Sequence, residues 1–185
     1  MDFLRKLFRL LFVFNIPPAS EEELRTADSI IVMGLSLKQD GSAGPGNEII
    51  AKVARELWLK YRLPIMAEWY GAQGDLSLPY AFVTDPVSTD EVSSRSYHTG
   101  LIVERLAKEC KRGNLRKPIV IACPDHMGRV IWSLEKCGLE VRTVKMPESG
   151  YYVKGLIHPW SHRWRWLFRM RERVGRLAFW YWGYL

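Results

Sequence analysis

His126 and Arg129 stand three residues apart, directly after a short apolar run, Ile119-Val-Ile-Ala122. An imidazole gives or takes a proton near neutrality, and a guanidinium offers a planar fork of donors to phosphate or carboxylate. Cys123-Pro124 breaks the run, and Asp125 stands where the N-cap of a helix over 126–137 is expected. The first N–H groups of that helix add partial positive charge. The pattern therefore predicts a site for an anionic ligand, with Asp125 and Arg129 binding it and His126 as the catalytic candidate. A plainer arrangement fits the same residues: His126 capping the helix and Arg129 pairing with a surface carboxylate.

Other positions supply weaker candidates. Ser88, Thr89 and Asp85 could orient a substrate, although Ser88-Thr-Asp-Glu91 also has the form of a capping box, and Asp85-Pro86 that of a turn. Gly34 and Ser36 would let a ligand approach the end of the first strand closely, and a glycine there equally suits a turn. Cys123 beside His126 suggests a thiolate nucleophile, but a cysteine ending a buried strand more often behaves as a small hydrophobe. Gly41-Ser-Ala-Gly-Pro-Gly46 lacks the spacing of a dinucleotide loop. His158 and His162 are four apart, yet Pro159 interrupts their helix and no third ligand is evident, so no metal site is expected.

These residues need a scaffold, and the hydrophobic periodicity provides one. Strands are predicted at 29–33, 63–67, 80–84, 118–123 and 139–144. Helices are predicted at 48–62, from Ser88 to about 111, and at 126–137, with a short turn after Ser20. Alternating strands and helices imply an α/β protein: a three-layer Rossmann-like sandwich with a mainly parallel sheet. Residues 2–15 and the tail after Gly155 read as additional amphipathic helices. In the tail Leu167, Met170, Val174, Leu177, Tyr181 and Tyr184 form an apolar stripe, with Arg165, Arg169, Glu172, Arg173 and Arg176 opposite. The expected organisation is an N-terminal helix (1–16), an α/β domain (24–157) and a basic aromatic helix (158–185).

The chain has 185 residues, 48% of them hydrophobic, which suffices for one domain of ordinary size. Its formal charge of +7 is concentrated at the two ends. Residues 1–15 carry three basic side chains and one acidic, and 160–185 carry six arginines against Glu172, so the segment between is neutral. That distribution argues against nucleic-acid binding, which spreads basic charge over the folded face. Basic residues with Trp, Phe and Leu opposite suit helices lying in a membrane surface, so residues 1–16 and 160–185 are expected membrane contacts. Packing of both helices on the sheet is the other reading. Three widely spaced cysteines suit a reducing compartment. No apolar run reaches the roughly 18 residues of a membrane span. The N-terminal apolar run is too short for a signal peptide and reads as retained. A cytoplasmic protein, peripheral at the inner membrane, is expected.

Ile30-Ile-Val-Met-Gly34, the helix start at Ser88-Thr89 and above all Cys123-Pro-Asp-His-Met-Gly-Arg129 resemble the bacterial YdcF/SanA/ElyC-like family. The strand after Gly138 and the pair Arg171-Glu172 extend the likeness over about residues 28–182. The resemblance implies a Rossmann-like fold, association with the cell envelope, and a nucleotide-type ligand such as S-adenosylmethionine. It departs where the first strand ends Gly34-Leu35-Ser36 instead of in several glycines, and where Asn47-Glu48 replaces an arginine. The expected function is thus an envelope-associated protein that binds, and in its catalytic version processes, a small anionic ligand at the strand ends. That ligand would be a nucleotide, S-adenosylmethionine, or a lipid or sugar phosphate, and the reaction is left open. The alternative is a non-enzymatic membrane-surface scaffold with a degenerate pocket.

Overall fold

Runs of β-branched residues build the centre of the molecule. In the computed structural model, which describes residues 16–85, 98–153, 156 and 164–181, five strands form one parallel sheet. They are β1 (Ser29–Val32), β2 (Ile65–Ala67), β3 (Tyr80–Val83), β4 (Pro118–Ile121) and β5 (Arg142–Thr143), in the order β3-β2-β1-β4-β5. β1 lies between β2 and β4, with Ile30 opposite both Ile65 and Ile119 and Val32 opposite Ala67 and Ile121. Every residue of β1, β2 and β4 is buried, as expected where helices cover both faces of a parallel sheet. The fold is the predicted Rossmann-like α/β sandwich. Its strand order reverses between β1 and β4, and the crevice beyond such a reversal is where open α/β sheets place ligands.

The helices are α1 (Glu21–Arg25), α2 (Pro45–Tyr61), α3 (Trp69–Ala72), α4 (His98–Arg112), α5 (Pro124–Lys136) and α6 (Arg165–Tyr181). Ser20 caps α1 in a reciprocal box: its hydroxyl accepts from Glu23 N–H, and the Glu23 carboxylate accepts from Ser20 N–H at 2.7 Å. α2 begins three residues earlier than the periodicity suggests, because Pro45 fits the first helical position. It ends at Arg62, in a left-handed conformation with its guanidinium over the Trp58 ring. α5 likewise starts at Pro124, so Cys123 holds the N-cap position and Asp125 sits inside the first turn. That corrects the expected cap. α3 follows the strand expected at 63–67, at a place where no helix was expected, and β5 is two residues long instead of six. The helix 2–15, the capping box at Ser88–Glu91, and His158 and His162 lie outside the described residues.

α6 packs against α5 through Phe168, Glu172, Gly175, Arg176 and Phe179, all buried. Of the apolar stripe, Met170, Val174 and Tyr181 are exposed, Tyr181 at 81%, and Leu167 and Leu177 are half-buried. The buried face is a mixed one, two phenylalanines with Glu172 and Arg176, while Arg165, Arg169 and Arg173 stay half-buried.

Gly34 follows β1 at a point where no side chain fits. A Cβ there would lie 2.5 Å from Gly71 N and 2.7 Å from the Tyr70 carbonyl carbon, so the exit of β1 touches the backbone of α3. Gly138, at φ +82°, closes α5 with open space around it. Gly34→Ala should therefore cost about 3 kcal/mol through backbone displacement. Gly138→Ala should cost about 1 kcal/mol, through the left-handed conformation alone. Urea unfolding of both variants checks the order; equal losses would contradict it.

Candidate functional site

Two loops meet where β1 and β4 part. Asn47, in the first turn of α2, fastens the first of them. Its Oδ1 accepts from Leu35 N–H at 2.8 Å, and its Nδ2 donates to Ser36 O and Tyr70 O, both at 2.9 Å. Ser36 is buried and its hydroxyl donates to Leu37 O. Glu68 follows β2 directly and accepts from Gly34 N–H at 2.8 Å. The second loop runs from β4 into α5, whose first turns carry Asp125, His126 and Arg129.

His126 and Arg129 do meet, with Nδ1 and Nη2 3.2 Å apart, and each is only 6% exposed. Between them lies the carboxylate of Glu172, from α6, itself 1% exposed. Arg129 donates Nε to Oε2 at 3.0 Å and Nη2 to Oε1 at 2.7 Å, and His126 Nδ1 lies 3.2 Å from Oε1. The guanidinium also stacks on the Phe179 ring at 4.8 Å. Arg129 is thus paired with a carboxylate, but a buried one. Asp125 forms a second cluster alongside. It accepts from Tyr152 Oη at 2.7 Å, Arg165 Nε at 2.7 Å and Arg169 Nε at 2.8 Å. Arg176 Nη2 donates to the Asp125 carbonyl at 3.4 Å.

The electrostatics follow from this packing. Burial alone would push the Glu172 carboxyl up, but Arg129 and His126 hold it well below the ordinary carboxylate range. Burial lowers the His126 imidazole, and the Arg129 charge lowers it further against the pull of Glu172. We assign a neutral ring that donates Nδ1–H to Glu172, which leaves Nε2 as the proton acceptor. Glu68 goes the other way: burial pushes its carboxyl up to about 7, against the Gly34 hydrogen bond and the Arg129 charge. Asp125 is held below its ordinary value: burial opposes this, and Arg165, Tyr152 and Arg169 outweigh it. Burial thus leaves a protonatable carboxyl after β2 and, at the start of α5, an imidazole bonded to Glu172 beside a fixed guanidinium.

Cys123 does not join that set. Its Sγ lies 3.2 Å from Tyr152 Oη, and burial pushes the thiol up to about 12, so it stays protonated at neutral pH. Asp85 is exposed just past β3, and two strands separate β3 from β4, roughly 14 Å at 4.8 Å per strand. Ser88 and Thr89 lie outside the described residues. Among the described residues, no group of three His, Cys, Asp or Glu side chains could hold a metal. Sequence reasoning missed Glu68 and Tyr152, and it placed Glu172 on the outer face of its helix. A carboxylate directly after a fully apolar strand, Ile65-Met-Ala67, was the available signal for Glu68.

Two outcomes test these assignments. Glu172→Ala strands the Arg129 charge and should cost about 3–5 kcal/mol, whereas Arg129→Met with Glu172→Leu should restore most of it. Urea unfolding of the single and double variants gives the comparison, and a single variant as stable as wild type would refute the pairing. Glu68 adds a pH signature. The unfolded chain releases this proton near pH 4.5 while the folded one keeps it to about 7, so stability falls as pH rises between them. Glu68→Gln removes that loss. It should stabilise the protein at pH 8 by up to roughly 3 kcal/mol, since each tenfold difference in proton affinity corresponds to about 1.4 kcal/mol. The gain should vanish toward pH 4.5; a loss at pH 8 would contradict the assignment.

No protein-family model, curated protein or solved structure matches this chain.

Proposed function

We propose that this chain binds a small anionic ligand at the carboxyl edge of its sheet, where β1 and β4 part, and does so at the membrane surface of the cell envelope. The observation that carries the reading is the buried pair His126 and Arg129 at the strand-order reversal, with Glu172 bonded to both the ring and the guanidinium, and Glu68 after β2 still within the influence of the Arg129 charge. Functional sites tend to gather titratable groups whose environments push their proton affinities apart, and Glu68 and Glu172 differ in this way. Arg129 supplies the charge an anion needs, and His126 Nε2 and the Glu68 carboxyl supply places to put or take a proton. The ligand classes that fit are a nucleotide-type molecule, S-adenosylmethionine included, or a phosphorylated lipid or sugar.

The envelope location draws on the resemblance to the YdcF/SanA/ElyC-like family and on the outward stripe of α6, whose Trp and Tyr suit the headgroup region. No described helix is long and apolar enough to cross a membrane. A second reading has its own support: the Arg129 fork is already filled by Glu172, which fits a membrane-surface scaffold whose pocket no longer takes a ligand.

Native mass spectrometry of protein purified from cells separates the two. The proposal expects a co-purifying nucleotide or phosphate compound whose occupancy falls at least tenfold in His126→Gln and in Glu68→Gln, both close in volume to the originals. Unaltered occupancy in both variants, or no bound mass in the wild type, would support the scaffold instead.

A further inference from the structure

One cavity stands apart from the buried imidazole. It has a volume of about 490 Å³ and opens between the chain entering the domain at Ile16–Pro18, the start of α5, the segment after β5 and the first turns of α6. At roughly 30 Å³ per water-sized group, it holds about sixteen such groups. That lies within the size range of small-molecule sites. Its lining mixes two chemistries. Pro17, Met127, Val144 and Met146 are apolar, and Lys145, Arg165 and Arg169 are cationic, with Glu148 the one carboxylate in the lining.

Arg165 and Arg169 are oriented before any ligand arrives. Asp125, itself 1% exposed, accepts Nε of Arg165 at 2.7 Å and Nε of Arg169 at 2.8 Å. One buried carboxylate thus fixes two guanidinium groups a helical turn apart. Each guanidinium carries five N–H donors in a planar fork. Their side chains remain 37% and 34% exposed, at the cavity wall. On α6 these arginines are followed immediately by Trp166 and Met170, both exposed.

The geometry points to a binding site for an anionic amphiphile: a phosphate head held by Arg165, Arg169 and Lys145, with an apolar body against Met127, Val144 and Met146. It goes beyond the ligand reading above by placing a ligand at the lip between β4 and β5, away from the buried imidazole, and giving it an apolar part. Oriented arginine forks favour phosphate, since bidentate donation adds geometry to charge. The apolar wall would gain nothing from inorganic phosphate or a sugar phosphate. A helix whose outer stripe meets lipid would carry Arg165 and Arg169 to headgroup depth.

Isothermal titration of the full chain with dihexanoyl phosphatidic acid below its micellar concentration, and with glycerol 3-phosphate, tests this. The wild type should bind the dihexanoyl compound at least tenfold more tightly than glycerol 3-phosphate. That preference identifies a lipid source over a soluble one. Arg165→Gln with Arg169→Gln should weaken binding at least tenfold. Lys145→Glu, at an exposed position where folding is not at stake, should weaken it severalfold. Equal affinity for the two probes, or no change in either variant, would overturn the inference. His126→Gln, titrated in parallel, keeps the two ideas separable: undiminished phosphatidic acid binding there, with co-purified ligand also undiminished, removes the imidazole from the site and leaves the cavity standing.

Discussion

Taking an arginine and a glutamate out of water costs several kcal/mol per ion, and only close, hydrogen-bonded pairing recovers it. Arg129 and Glu172 meet that condition through two bonds of 3.0 and 2.7 Å, with His126 as third partner. Residues forty-three positions apart are thereby committed to one geometry. α6 cannot rotate about its axis without stranding both charges, and so it keeps the face that joins Glu172 and Arg176 to Phe168 and Phe179 against α5, leaving Met170, Val174 and Tyr181 exposed. Asp125 adds to the constraint, drawing Arg165 and Arg169 onto the same helix start.

The same pairing organises the chemistry at the strand ends. Glu172 gives the imidazole a fixed acceptor on one nitrogen, as carboxylates do for histidines that move protons elsewhere. Glu68 feels the Arg129 charge only from a distance, and its close hydrogen bond comes from the neutral Gly34 N–H. Two carboxyls under one guanidinium's influence thus hold their protons in opposite ways. Burial is common to both, and proximity decides the difference.

Much of this was legible in the residues. Ile30, Ile31, Val120 and Ile121 announced buried parallel strands, and the alternation with helices announced the sandwich. His126 and Arg129 could be placed at a strand end from spacing alone, since Pro124 marks a turn and the following apolar periodicity marks a helix. Asp125 was misassigned because a proline at the first helical position shifts the cap back to Cys123. The larger failure was α6. A helical wheel ranks faces by hydrophobicity, and nothing in one helix reveals that its charges have partners on another. Glu172 becomes an inward residue only once Arg129 exists as a neighbour. Glu68 stayed unseen although the expected strand ended correctly at Ala67, because nothing local shows that the carboxyl after it is buried against the Gly34 backbone.

The short β5 has a consequence for behaviour in crowded solution. It offers two residues of ladder, Arg142 among them, at one margin of the sheet. A neighbouring polypeptide seeking to add itself there would find little backbone to grip and a charged side chain in the way. A parallel sheet whose central strands are fully buried and mostly apolar would otherwise offer a template at this margin; here the template stops short.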